Sequence, residues 1–307
     1  MYLLSFILLT VTCLPTWADS VRMEKVWSLS KDQKGRHLFL MPLEAVEDDH
    51  GNLLILDKGG QVQIYNGQGN LISILDLRVK ERCCGEPSDI ALDGKGNIFL
   101  CYPNIRLVQG FDYKGNRVYR FPSVRGTPMQ IAIDSHGNVY LNEVGFKAKY
   151  ILCKYDLDGN LLGEFGEPAE PVAVARRTSE DFRRIIAAEG FIGIDSQDNI
   201  YFAFRASYIL RKYSPSGNLI WEVKPELSLS QPKEGAYFPV GDMEVTPEGQ
   251  VFVLRVKGPS MDIWNPKGKL IETFRPPEHY FGFCLGRQAL YFIENIGYGK
   301  IDKFILK

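Results

Sequence analysis

The chain has 307 residues, of which 45% are hydrophobic and 24% charged. This balance is typical of a globular protein with a real core and excludes a disordered or fibrous chain. The formal net charge of −1 provides no basic surface for nucleic acid, so we expect no nucleic-acid partner. The 29 glycines and the 12% of aromatic residues indicate many turns and many strands.

The first segment, residues 1–18, has the features of a signal peptide. An apolar run over residues 2–14 is followed by Thr16 and Ala18, which are small residues at the two positions that a signal peptidase reads. The alternative, an uncleaved membrane anchor, needs a longer apolar run to cross a bilayer. We therefore expect an exported protein, periplasmic or extracellular, with residues 19–307 as the mature chain and no stable membrane insertion.

A repeated unit follows. Five segments share a Gly-Asn-like turn that leads into an apolar strand, and they begin at Gly51, Gly96, Gly137, Asp198 and Gly249. A sixth, residues 289–294, keeps the strand and loses the turn residues. A short apolar stretch ending near an Asp precedes each turn, and a third strand, a second Gly-centred turn and a fourth strand come after it. Four antiparallel strands in roughly 40 to 50 residues form one blade of a β-propeller.

The repeat resembles a known family. Residues 128–134 read Pro-Met-Gln-Ile-Ala-Ile-Asp, and residues 137–142 read Gly-Asn-Val-Tyr-Leu-Asn. This is similar to the NHL-repeat pattern Pro-x-x-Ile-Ala-Val-Asp-x-x-Gly-Asn-Ile-Tyr-Val-x-Asp, and the similarity covers nearly the whole mature chain. The resemblance implies an all-β, six-bladed β-propeller with four antiparallel strands per blade, formed by residues 19–307 as a single domain.

The two ends of the mature chain predict how the ring closes. The last unit, about residues 281–306, contains only three strands, while the apolar alternation of residues 23–29 offers one strand without a partner. We expect this N-terminal strand to complete the last blade, so that deletion of residues 19–30 unfolds the protein.

Long insertions distinguish one face of the predicted propeller. They span about residues 166–188 and 225–238, and the first carries a Ser or Thr cap and early acids that predict one short helix. Both belong to the face formed by the loops between second and third strands and between successive blades. Because insertions in repeat folds collect where binding occurs, we expect the ligand on this face. The alternative is that they only cover the seams between blades.

Two sets of equivalent positions supply candidate site residues. The polar members of the first-strand set are Glu44, Asp89, Gln130 and Asp242, with Phe191 and Phe281 as its apolar members. Near the axis, the carboxylates of Glu44, Asp89 and Asp242 are candidate calcium ligands. The alternative is a channel of solvated polar groups that bond to loop amides.

The second set, at the ends of the second strands, consists of Asp57, Tyr102, Glu143, Arg255 and Glu294, with Arg205 next to Phe204. Mixed acids, Arg and aromatic residues around one cavity predict a small-molecule or peptide site.

The cysteines give one further expectation. Five remain after residue 18, namely Cys83, Cys84, Cys101, Cys153 and Cys284, and an odd number leaves at least one free thiol. We expect a disulfide between Cys84 and Cys101, with Cys83 as the alternative partner. Cys153 and Cys284 fall within strands, where we expect them to behave as small buried hydrophobes.

Some enzymes share this architecture. A resemblance to the peptidylglycine amidating lyase implies zinc held by several histidines near the axis, but only His279 of the four histidines falls there. A gluconolactonase-like calcium enzyme stays open, although no recognised catalytic motif accompanies the acids. We therefore expect a monomeric binding module, without catalysis or cofactor, for a protein, peptide or glycan. The alternative is a calcium-dependent hydrolase or lyase of the gluconolactonase-like type.

Overall fold

Six four-stranded sheets make up the fold. The computed structural model describes residues 22–78, 85–145, 148–170, 179–225, 238–256 and 258–306. Within these ranges the strands form six antiparallel sheets, and each sheet is one blade of a closed β-propeller, as the repeat predicts. No helix in these ranges is long and apolar enough to cross a membrane.

The strands follow the ring in chain order. Strand β1 is Met23–Leu29. Blade 1 contains β2 (Pro42–Glu47), β3 (Leu53–Asp57), β4 (Gln61–Tyr65) and β5 (Leu71–Asp76). Blade 2 contains β6 (Asp89–Leu92), β7 (Ile98–Tyr102), β8 (Leu107–Phe111) and β9 (Arg117–Pro122), with a 3-10 turn at Pro103–Ile105. Blade 3 contains β10 (Thr127–Ile133), β11 (Val139–Val144), β12 (Leu152–Tyr155) and β13 (Leu161–Phe165).

The remaining three blades repeat the pattern. Blade 4 contains β14 (Gly190–Ile194), β15 (Ile200–Phe204), β16 (Leu210–Tyr213) and β17 (Leu219–Val223). Blade 5 contains β18 (Val240–Val245), β19 (Val251–Arg255), β20 (Ser260–Trp264) and β21 (Leu270–Phe274). Blade 6 contains β22 (Gly282–Leu285), β23 (Leu290–Glu294), β24 (Lys300–Leu306) and β1.

Apolar clusters between neighbouring blades hold the ring together. The second strand of a blade is covered on both sides, so β3, β7 and β15 are buried along their whole length and their sequences are apolar without alternation. Each of the six pairs of neighbouring blades, including the pair formed by blades 6 and 1, encloses its own cluster of buried residues. Each fully buried Leu or Ile side chain contributes about 1.5–3 kcal/mol.

The Asp-x-x-Gly-Asn turns fix the hairpins on the face opposite the insertions. In the first, Asp48 accepts hydrogen bonds from the backbone N–H groups of His50 and Asn52, both at 2.8 Å, and Gly51 adopts a φ of +77°. In blade 4 Asp198 occupies the glycine position with a φ of +60°. Its carboxylate accepts from the backbone N–H and the hydroxyl of Ser135 in blade 3, each at 2.8 Å, so this departure from the repeat links two blades.

Strand β1 closes the ring, as predicted. It pairs antiparallel with β24, from Met23 opposite Leu306 to Leu29 opposite Ile301. Trp27 then reaches blade 1, where its indole N–H donates to the carbonyl of Gly67 at 3.2 Å. The N-terminal strand therefore ties the last blade to the first.

The predicted helix of the first insertion is present. Helix α1 (Glu180–Ala188) begins after Ser179, whose hydroxyl accepts a hydrogen bond from the backbone N–H of Phe182 at 3.2 Å. Such a cap satisfies one of the free N–H groups at a helix start. Residues 171–178 of this insertion and residues 226–237 of the second lie outside the described part of the chain.

Candidate functional site

A cavity of about 530 Å³ opens on the predicted ligand face. Every blade, or the loop leading into it, contributes lining residues, which places the cavity on the propeller axis. The lining comprises Leu43, Glu44, Ser88, Met129, Gln130, Glu189, Gly190, Phe191, Arg205, Phe238, Val240, Gly241, Val256, Phe281 and Asn295. These residues start first strands or follow second strands, so the cavity lies at the end of the axis where the insertions occur.

Glu44 and Arg205 lie on opposite sides of the cavity. Glu44 lies on β2 of blade 1, and Arg205 directly follows β15 of blade 4, across the ring. The Arg205 guanidinium donates to the Glu189 carboxylate at 2.5 Å and stacks over the Phe238 ring at 4.8 Å from its centroid. Among the described residues no hydrogen bond or ion pair to the Glu44 carboxylate is formed.

Apolar side chains form the rest of the wall. Phe191, Phe238 and Phe281 place three phenyl rings around the cavity, and Met129 and Val240 lie between the polar residues. A concave site with apolar walls and a few charged groups is the usual form of a ligand pocket. The cavity can therefore bury an apolar group while it orients a polar one.

Two predicted acids tie neighbouring blades instead of facing the cavity. The Asp89 carboxylate accepts from the backbone N–H of Ile90 at 2.9 Å and from that of Ile131 in blade 3 at 2.7 Å. Asp242 repeats this arrangement with Met243 at 2.7 Å and Phe283 in blade 6 at 2.8 Å. Each aspartate thus fastens the first strand of its own blade to that of the next.

The sixth member of the first-strand set is Gly282, not Phe281. Gly282 pairs with Ile293 at the register position where Asp242 pairs with Leu254. A Cβ on Gly282 would come within 3.2 Å of the Asp242 carboxylate. The missing side chain therefore leaves room for the tie between blades 5 and 6.

Four carboxyl groups share the axial region. Burial raises the pKa of Asp89 and of Asp242 to about 7, against the lowering effect of their backbone donors. Burial also raises the pKa of Glu44 well above its usual range, and the charges of Asp242, Asp89 and Glu244 raise it further. Arg205 acts in the opposite direction on Glu44 and Asp242. Enclosed carboxyl groups near one another resist ionisation because each charge is poorly solvated and repels the others.

Glu244 is a further axial acid that was not among the predicted site residues. It lies two residues beyond Asp242 on β18, and burial followed by the charges of Asp242 and Asp89 raises its pKa well above its usual range. The available signal was strand alternation, since residues two apart point to the same side of a strand.

Five residues of the second predicted set do not line the cavity. Asp57 accepts the backbone N–H groups of Leu40 and Met41, and Glu143 accepts those of Arg125 and Gly126 and the Tyr155 hydroxyl. The other three also have partners within the fold: Tyr102 donates to the Leu77 carbonyl, Arg255 pairs with Asp262, and Glu294 pairs with Lys300. Of the ten predicted ligand-binding residues, the structure brings Glu44, Gln130 and Arg205 together at the cavity.

The described residues show no arrangement suited to a metal ion. Within these ranges no group of three or more His, Cys, Asp or Glu side chains is placed to hold one. The backbone donors already occupy Asp89 and Asp242, and His279 is exposed. No formed calcium site is therefore seen among the described residues, and the calcium site stays a prediction.

The structure describes three of the five cysteines that follow residue 18. Cys153 lies in β12 and Cys284 in β22, both buried with free thiols, as expected. Cys101 is also buried, and its sulfur lies 3.2 Å from the Ser88 hydroxyl oxygen. Its expected partner Cys84 lies outside the described residues, so the disulfide stays a prediction.

Comparisons with known proteins agree on the fold. No protein-family model and no curated protein sequence matches the chain. Virginiamycin B lyase from Staphylococcus aureus matches with a TM-score of 0.62 and 14% identity, over 94% of this chain and 100% of that one. A gluconolactonase from Xanthomonas campestris matches with a TM-score of 0.60 and 13% identity, over 94% of this chain and 90% of that one. A hydrazine synthase from Kuenenia stuttgartiensis matches with a TM-score of 0.57 and 10% identity, over 87% of this chain and 96% of that one.

These identities are too low to transfer an activity, and fold alone does not fix function. The NHL-repeat assignment stays a prediction, because no family model matches. Strand topology and the solved structures together establish that the chain is a six-bladed β-propeller.

Proposed function

We propose that the chain is an exported binding module that holds a group of a protein, peptide or glycan ligand in its axial cavity. The observation that carries the proposal is the cavity itself, to which all six blades contribute and which combines three phenyl rings with Glu44 and Arg205. Small-molecule pockets typically have volumes of roughly 300–1,000 Å³, so a cavity of this size suits a side chain or a sugar.

The contrast with the other acids supports this assignment. Asp57, Glu143, Asp89 and Asp242 have their carboxylates satisfied by backbone N–H groups, which explains them as parts of the scaffold. Glu44 has no such role among the described residues, and its side chain is partly exposed at the cavity wall. Its carboxylate is therefore accessible to a ligand in the cavity.

The test is binding to defined peptide and glycan arrays. Gln130→Trp places a bulky ring at the cavity wall, whereas the matched control Gln68→Trp places it on an exposed turn of the opposite face. We expect a ligand that binds the wild type and Gln68→Trp and that loses most of its affinity for Gln130→Trp. Equal binding by all three proteins would contradict the proposal.

A metal-dependent hydrolase or lyase is the second candidate. The observation in its favour is the group of axial carboxyls, and the solved structures that the fold resembles include a lyase and a gluconolactonase. Elemental mass spectrometry after dialysis without chelator tests it. About one calcium per chain that is lost in the double variant Glu44→Ala with Asp242→Ala would favour the enzyme, and a metal-free chain would favour the binding module.

A further inference from the structure

Among the described residues that line the cavity, Glu44 is the charged residue without an ion-pair partner. Arg205 forms an ion pair with Glu189 and lies against the Phe238 ring, although its Nε has no hydrogen-bond partner among the described residues. Glu44 lies across the cavity without a described partner. From this asymmetry we infer that the axial cavity recognises a primary ammonium group on an apolar stem, with Glu44 as its hydrogen-bond acceptor; the inference rests on the proposed binding function.

The position of Glu44 supports an ammonium ligand. Asp242 and Glu244 from β18 and Asp89 from β6 lie close enough for their charges to raise the Glu44 pKa. All three are acidic, and Arg205 is the one cation among the largest influences on Glu44. These acids therefore favour an entering cation over an entering carboxylate.

The surroundings of Glu44 disfavour its charged form. Burial and the neighbouring acids raise the pKa of Glu44 well above its usual range. An ammonium group supplies an opposite charge and three N–H donors. Binding should therefore favour the ionised form of Glu44 and form a charge-assisted hydrogen bond, which is among the stronger interactions available to a ligand.

The walls indicate what the ammonium group is attached to. Phe191, Phe238 and Phe281 offer ring faces and edges, and Met129 and Val256 offer aliphatic surface. Rings of this kind favour a cation on an apolar stem over a fully hydrated ion. A free aliphatic or aromatic amine and the side chain of a lysine in a peptide both carry this chemistry.

The experiment compares matched probes by isothermal titration calorimetry on the purified protein at pH 7.5. In the first arm, phenethylamine is compared with its neutral counterpart 2-phenylethanol and with the anion 3-phenylpropionate. In the second arm, a capped Gly-Lys-Gly peptide is compared with the same peptide acetylated on the lysine. We expect the ammonium form to bind at least about tenfold more tightly than its partners in one or both arms, and the arm that responds identifies the source.

The variants decide whether Glu44 is responsible. Glu44→Gln should reduce the affinity for the ammonium probe by about tenfold or more, and the exposed Glu248→Gln should leave it unchanged. Equal affinity for charged and neutral probes in both arms, or wild-type affinity in Glu44→Gln, would overturn the inference. An array ligand that is excluded by Gln130→Trp yet insensitive to Glu44→Gln would overturn it and leave the binding function standing.

Discussion

Acidic side chains near the axis fall into two groups according to what their oxygens accept. Asp57, Asp89, Glu143 and Asp242 each receive two backbone N–H groups and hold loops or neighbouring blades in place. Glu44 has no described donor. Acidic residues at similar positions of the repeat therefore have different roles: some hold the fold together, and Glu44 is available to a ligand.

Glu143→Ala tests the scaffold role. It removes a fully buried carboxylate and leaves the N–H groups of Arg125 and Gly126 and the Tyr155 hydroxyl without their acceptor. We expect a loss of about 2–4 kcal/mol in the free energy of unfolding, measured by urea denaturation. The control is Glu294→Ala at the equivalent position of blade 6, where only a partly exposed ion pair is lost and the expected cost is under about 1 kcal/mol. Similar losses in the two variants would contradict the assignment.

Glu44→Gln should change how stability depends on pH. The pKa of Glu44 is raised on folding, so the folded protein binds more protons than the unfolded chain at pH values above the usual 4.5 of glutamate. Stability therefore falls as pH rises through this window. The variant has no group to ionise there, and we expect it to exceed the wild type by about 1–3 kcal/mol at pH 8 and to match it near pH 4.5.

Urea denaturation across pH 4.5–8 measures this difference. Glu248→Gln, a change at an exposed turn, serves as the control and should follow the wild-type profile. A Glu44→Gln profile parallel to that of the wild type would show that Glu44 ionises freely.

The role of a residue was harder to predict than its position. The repeat located Glu44, Asp89 and Asp242, but the donors of Asp89 and Asp242 come partly from the next blade, more than forty positions along the chain. The sixth member of the first-strand set was misassigned by one residue, because Gly282, and not Phe281, pairs with Ile293 at the position that Asp242 occupies opposite Leu254 in blade 5.

Turns and strands were the most predictable elements. The Asp-x-x-Gly-Asn motif contains the acceptor, the positive-φ residue and the amide that its geometry requires, so it specifies a hairpin locally. The helix after Ser179 was equally local, since its cap and first turn lie within four residues. Such elements depend on neighbours in sequence, which a single chain displays.

Closure of the ring depends on strand β1. Without it, β24 loses its outer partner, and Trp27 no longer packs on Tyr291 or reaches Gly67. We expect a chain that lacks residues 19–30 to lose cooperative thermal unfolding, followed by near-ultraviolet circular dichroism. A synthetic peptide of residues 22–30 should restore the transition. A truncated chain that unfolds cooperatively at the wild-type temperature would contradict closure by β1.

The six blades of the ring resemble one another, but the residues that they place at the axis differ. Six apolar clusters repeat around the ring, in keeping with the sequence repeat and the family resemblance that together predicted the architecture. The cavity combines residues from all six blades, and it places Glu44 across from Arg205 although they are far apart in sequence. This juxtaposition has no signature in any single repeat, so the sequence indicated the ligand face and left most of the contact residues to the structure.

The most direct test of the central claim is to locate a bound ligand by methyl NMR. Protein labelled at Leu, Ile and Met methyl groups would be titrated with the strongest ligand from the arrays. The axial site predicts shifts at Leu43 and Met129, which line the cavity, and none at Leu71 and Ile220 on the exposed outer strands. Shifts confined to the outer strands, with Leu43 and Met129 unchanged, would contradict the account.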